Sequence, residues 1–97
     1  MNRPFFSPSS RRDLREILEH IAKDKPGAAL KHVEHLEEEC WMLARNAEIG
    51  SLRNDLLPNL RCWSVGNYVI CYRPTNDGVD VIRVVHGARD IGRLLRQ

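Results

Sequence analysis

The apolar residues of this chain change their period midway, and that change restricts the fold more than any other feature. Leu14, Ile17, Leu18 and Ile21 recur at i, i+3, i+4 and i+7, which places them on one face of a helix. Ala29, Val33, Leu36, Cys40, Leu43 and Ala47 alternate steps of four and three, again a single helical stripe. Beyond residue 59 the pattern differs. Leu60–Val65, Tyr68–Arg73 and Val79–His86 are rich in Val, Ile, Tyr and Trp, residues that suit a pleated surface. A helical half followed by a strand half makes an α+β fold rather than an alternating α/β one.

The breaks between these segments carry their own signals. Phe5 and Phe6, flanked by prolines in Arg3–Ser7, read as a short edge-like strand. Ser9 and Ser10 offer a helix N-cap, with Asp13 three residues after Ser10 as an aspartate version of the capping box. Asp24, Pro26 and Gly27 end the first helix and open the second, so the two form an αα-hairpin. Asn46 or Gly50 ends the second helix. Gly66-Asn67 reads as a two-residue hairpin turn, and Asn76-Asp77-Gly78 as a second turn. Ile91, Leu94 and Leu95 then supply the inner face of a short last helix. The predicted order is β-α-α-β-β-β-α, a helical hairpin packed on a small antiparallel sheet within one domain, residues 1–97.

Charge is distributed unevenly. Residues 1–49 carry eight basic and nine acidic groups, whereas residues 50–97 carry seven arginines and four aspartates, with no lysine or glutamate. Arginine suits bidentate recognition of carboxylate or phosphate, so an acidic protein and a nucleic acid both fit this half. Three cysteines without a zinc-like spacing, and no run of transmembrane length, point to a cytoplasmic protein with reduced thiols and no membrane partner.

Three strings then resemble a known family. Ser7-Pro8-Ser9-Ser10-Arg11-Arg12-Asp13-Leu14-Arg15-Glu16-Ile17 is similar to the SP-x-A-x-x-DL-x-EI opening of ParE-like toxins. Pro58-Asn59-Leu60-Arg61, followed by Val65-Gly66-Asn67-Tyr68-Val69-Ile70-Cys71-Tyr72-Arg73, resembles the family's P-G-LR and VG-x-Y-x-I-x-Y segment. Val84-Val85-His86-Gly87-Ala88-Arg89-Asp90 is close to its V-L-H-GARD string. The chain is therefore identified as resembling the RelE/ParE superfamily of type II toxin-antitoxin toxins, in its ParE-like branch. Ser10 stands where the opening has alanine, and Asn59 where the second string has glycine; both are small or turn-compatible.

That resemblance implies one of two activities of different class. One branch cleaves messenger RNA on the ribosome, which needs a base, an acid and cations for the phosphorane. The other traps DNA gyrase and arrests growth through double-strand breaks, with no chemistry of its own. A RelE-like toxin would carry arginine directly after Tyr68, where Val69 stands, and a terminal tyrosine near Leu94 and Leu95. Of that set only Arg89 keeps a matching position. The expectation is a gyrase poison with no catalytic residues, cofactor or metal. The alternatives are a ribosome-dependent endonuclease and a non-toxic binding module. Arg89, Arg93 and Arg96 are the candidate target contacts, unless the C-terminal piece merely covers the sheet.

The resemblance also implies a cognate, ParD-like antitoxin as hetero-oligomeric partner, laying a helix on the αα-hairpin and extended chain near the sheet. No direct sequence-specific nucleic-acid contact is expected. Trp41, Arg61, Trp63, Tyr68 and Arg73 are the candidate antitoxin contacts. Trp63 can equally be core, and Arg61 and Arg73 can equally brace the sheet. His32 and His35, spaced i, i+3, read as a solvated face rather than metal ligands, and His86 as a structural hydrogen-bonding group, with a base in the ribonuclease reading as its alternative. If Gly66-Asn67 is the turn, Cys62 lies opposite Cys71; reduced thiols are the expectation there, with a disulfide within geometric reach.

Overall fold

The computed structural model describes residues 1–96. Its elements are β1 (Arg3–Phe6), α1 (Pro8–Asp24), α2 (Pro26–Arg45), β2 (Ser51–Leu52), β3 (Arg61–Val65), β4 (Tyr68–Thr75), β5 (Gly78–His86) and α3 (Ile91–Leu95). The five strands form one sheet in the order β1-β5-β4-β3-β2. The α+β architecture is as expected. From β5 to β2 the sheet is antiparallel, and β1 joins it in parallel, Arg3 opposite Gly78 and Phe6 opposite Val81. The two-residue β2 adds an edge that the sequence pattern was too short to announce.

The predicted hairpin register holds: Arg61 pairs with Tyr72, Cys62 with Cys71 and Trp63 with Ile70. Gly66 takes φ 57°, as the first central position of a type II′ turn requires. Asn59 sits at φ 61°, a left-handed conformation that asparagine tolerates, so it can occupy the position where the family string has glycine. β4 continues through Pro74 to Thr75, two residues past the predicted end. The last β3 partner is Arg61, opposite Tyr72. At Pro74 the strand is therefore an edge, where a missing N–H is tolerated.

A β-bulge divides β5. Tyr72 pairs with Val81 and Cys71 with Arg83, leaving Ile82 without a partner on β4. The extra residue shifts the alternation, so Val79 and Val81 before it and Val84 after it all enter the cluster under the helices. That cluster joins Leu14, Ile17, Val33, Leu36, Cys40 and Leu43 to Val65, Ile70 and Tyr72. A second cluster lies on the other face of the sheet: Leu60, Cys71 and Val85, covered by Leu56, Leu57, Ile91, Leu94 and Leu95. The predicted inner face of α3 is thus the one that packs.

The start of α1 differs from expectation. Ser7, not Ser9 or Ser10, is the N-cap: its Oγ accepts from the Ser10 N–H at 3.0 Å, with Pro8 in the first turn. Proline needs no N–H partner there, so capping shifts to the residue before it. Ser10 is fully buried, its hydroxyl donating to the Ser7 carbonyl at 2.9 Å. Asp13 makes no capping box. It is 6% exposed and reaches across to β5. Ala47, placed by its spacing on the α2 stripe, lies beyond the helix end, which falls at Asn46.

Candidate functional site

β1 pairs with β5 only as far as Val81, so the outer edge of β5 from Ile82 onward has no strand beside it. Side chains from the start of α1 take over. Ser7 Oγ donates to the Ile82 carbonyl at 2.8 Å, and the Val84 N–H donates to Asp13 Oδ2 at 2.9 Å. Past that point the edge opens into a cleft of about 350 Å³ between α1 and the end of β5. Its walls include Glu16 and His20 from α1, Tyr68 from β4, and Arg83, His86 and Arg89 from β5 and the turn after it.

The floor is an ion pair. Arg83 Nε and Nη2 donate to Asp13 Oδ2 and Oδ1 at 2.8 and 2.9 Å, and Nη1 donates to the Leu94 carbonyl at 3.0 Å. One guanidinium thereby ties α1, β5 and α3 together. The hydrogen-bonded carboxylate holds the Arg83 guanidinium above its ordinary pKa, against the opposing effect of burial. Arg83 was not singled out in the sequence, although Asp13 in the opening string hinted at a fixed partner. No motif connects residues 70 positions apart.

His86 is less available than its place at the rim suggests. Its Nδ1 accepts from the Ala88 N–H at 3.2 Å, and its ring meets Tyr68 edge to face at 5.5 Å. With Nδ1 accepting that bond, Nε2 is the ring nitrogen left for other partners. The hydrogen-bonding role expected for His86 matches this geometry. His32 also meets the Tyr68 ring edge to face, at 5.7 Å, while His35 is exposed.

The candidate antitoxin contacts separate in space. Arg61, Trp63 and Tyr68 share the sheet face under the helices, while Arg73 lies on the opposite one, given the register and the alternation of side chains. Arg61 Nη1 donates to the Glu48 and Gly50 carbonyls at 3.0 and 2.7 Å, fastening the loop after α2 to β3. Arg73 Nε donates to the Pro58 carbonyl at 3.0 Å. In the free chain both arginines brace loops through backbone carbonyls. Trp63 is half-buried against the main core, with Nε1 3.4 Å from Glu39 Oε1. Trp41 stands on the outer side of α2, 42% exposed.

At the other end, Arg89, Arg93 and Arg96 are all exposed, while Ile91, Leu94 and Leu95 pack on the sheet. Asp90 caps α3, its Oδ1 accepting from the Arg93 N–H at 3.1 Å. Covering the sheet and presenting cations are thus done by different faces of the same short piece. Val69 belongs to the same apolar cluster as Leu94 and Leu95.

Residues 5–91 match the family described as ParE toxin of type II toxin-antitoxin system, parDE. Among solved structures, the chain is similar to one from a chromosomal ParDE toxin-antitoxin system of P. aeruginosa. The TM-score is 0.75 at 21% identity, over 89% of this chain and 96% of that one. It is also similar to a chain of the toxin-antitoxin complex RelBE2 from Mycobacterium tuberculosis, with TM-score 0.59 and 22% identity, over 88% of this chain and 96% of that one. At these identities the likeness is one of fold. No curated protein sequence matches.

Proposed function

The chain belongs to the ParE toxin family of type II toxin-antitoxin systems, and from that premise we propose that it poisons DNA gyrase and is neutralised by a cognate antitoxin. One observation carries the choice of target. Val69, where a RelE-like toxin would hold arginine, is half-buried and belongs to the apolar cluster of Leu60, Cys71 and Val85 against which Leu94 and Leu95 also pack. Neither proton transfer nor stabilisation of a phosphorane is available from such a surface. A poison needs only contacts, and the exposed Arg89, Arg93 and Arg96 supply a cationic end for them.

Purified chain incubated with gyrase, ATP and supercoiled plasmid is expected to accumulate linear DNA. Replacing Arg89, Arg93 and Arg96 together by alanine is expected to raise the concentration required by about tenfold or more, as loss of interface arginines does. Unchanged potency in the triple variant would remove this end from the target interface.

A second reading, ribosome-dependent RNA cleavage, has its own observation: Glu16, His20 and Arg89 line one cleft with His86. The groups in the cleft able to act as a base in that reading are His20, Glu16 and His86. Messenger RNA cleavage on ribosomes that disappears in both His20→Ala and Arg89→Ala would establish it and displace the gyrase reading.

For the antitoxin, the half-exposed Trp41 is the anchor that costs the fold least to present. Trp41→Ala is expected to weaken antitoxin binding by about 2 kcal/mol, as truncation of an interface tryptophan does, with the thermal midpoint of the free chain nearly unchanged. Equal affinity by calorimetry would place the antitoxin elsewhere.

A further inference from the structure

On the sheet face that carries α3, two thiols stand side by side. Cys62 and Cys71 are directly opposite in the β3–β4 ladder, with their Sγ atoms 4.0 Å apart. Val65 and Tyr68 flank the two-residue turn and form the hydrogen-bonded pair that closes it; pairs then alternate along the ladder, so Cys62 and Cys71 fall at a non-hydrogen-bonded position. There the Cα atoms come within about 4.5 Å and the side chains approach most closely, inside the span of a disulfide. A bond requires the two sulfurs to close by about 2 Å. The two differ in access: Cys62 is half-buried, while Cys71 is 0% exposed beneath it.

We propose that Cys62 and Cys71 form an oxidisable pair, a modification site at which a hydroperoxide converts two neighbouring thiols into one intrachain disulfide. The Cys62 thiolate attacks the outer peroxide oxygen, breaking the O–O bond and releasing alkoxide or hydroxide, and becomes a sulfenic acid. The Cys71 sulfur then attacks Cys62 Sγ. Its proton leaves with the displaced hydroxide as water, so the two thiols lose two electrons in total and the peroxide gains them.

The asymmetry between the thiols suits this order. The hydrogen bond with Cys71 lowers the Cys62 pKa, with Arg53 adding a favourable charge, against the effects of partial burial and Asp55. Cys71, on the other side of that contact and buried, is held up by the same hydrogen bond and by its burial. Cys40 has no such neighbour: burial, with Glu37 and Glu39 adding to it, pushes its thiol up to about 12, which makes it an internal control.

The test uses the full reduced chain, treated with hydrogen peroxide, denatured, alkylated with N-ethylmaleimide and weighed. Of the three free cysteines, Cys40 alone should still be alkylated after treatment, on a monomer lighter by two hydrogens. In Cys71→Ser, oxidation should halt at a sulfenic acid on Cys62 that dimedone traps; in Cys62→Ser, both remaining thiols should survive. Three adducts persisting after peroxide would overturn the proposal. So would loss of Cys40, or disulfide-linked dimers in place of the intrachain bond. The wild-type result stands without either variant, so poor folding of a serine variant leaves the measurement decisive.

Discussion

Asp13→Ala will destabilise this chain by about 3–5 kcal/mol, the cost of removing one partner from a buried pair. The side chains of Asp13 and Arg83 are 7% and 18% exposed, so solvent cannot replace the lost carboxylate. Two donors of Arg83 and the Val84 N–H lose their acceptor at once. Small domains have about 5–15 kcal/mol of stability in total, so the variant will retain little at physiological temperature. Urea denaturation read by circular dichroism measures the effect. Removing both charges, as Asp13→Leu with Arg83→Met, is expected to recover most of it. What remains is about 1–3 kcal/mol for the orphaned Val84 N–H. A single variant as stable as the parent, or a double variant no better than the single, would show that the pair does not join α1 to β5 energetically.

The same residue marks where sequence reasoning stopped. Local pattern placed both long helices, four of the five strands and the hairpin register, because each depends on residues close along the chain: helical spacing, strand-favouring composition or a turn dipeptide. Asp13 was legible as part of a family string, yet its spacing from Ser10 pointed to a capping box. Only the fold brings it to Val84 and Arg83 in β5. The bulge at Ile82 was likewise hidden, since a run of Val, Ile and Arg reads as a strand in either phase. The exposure of Trp41 was legible because it falls off the apolar stripe of α2. The partners of Arg61 and Arg73 were not, because they are backbone carbonyls, which leave no trace in side-chain identity. The cleft beside α1 is an outcome of β1 stopping at Phe6, four residues into the chain's path along β5. Composition cannot encode where one strand outruns another.

Tyr72→Phe and Gly50→Ala will each cost stability, and together they will cost less than their sum. The Tyr72 hydroxyl is fully buried, accepts from the Gly50 N–H at 3.0 Å and donates to the Ala47 carbonyl at 2.8 Å. Removing it leaves the buried Gly50 N–H without a partner, about 1–3 kcal/mol. A Cβ at Gly50 would lie 2.5 Å from that oxygen and 2.9 Å from the ring, so the aromatic side chain must shift in the core, another 1–3 kcal/mol or so. That shift breaks the same hydrogen bonds. In the double variant they are lost once, and part of the steric conflict goes with the oxygen; a coupling of about 0.5–3 kcal/mol is expected from a double-mutant cycle. The hydroxyl also ties this corner to pH. Burial raises the Tyr72 pKa in the fold, opposed by the Gly50 hydrogen bond and Arg61. The neutral phenol is therefore favoured by folding, a contribution fully present below the unfolded value near 10 and lost as pH rises through the higher folded one. The stability advantage of the parent over Tyr72→Phe should accordingly shrink above about pH 10. Cost that is strictly additive, or a difference that ignores alkaline pH, would mean that the loop after α2 is held to the sheet by Arg61 alone.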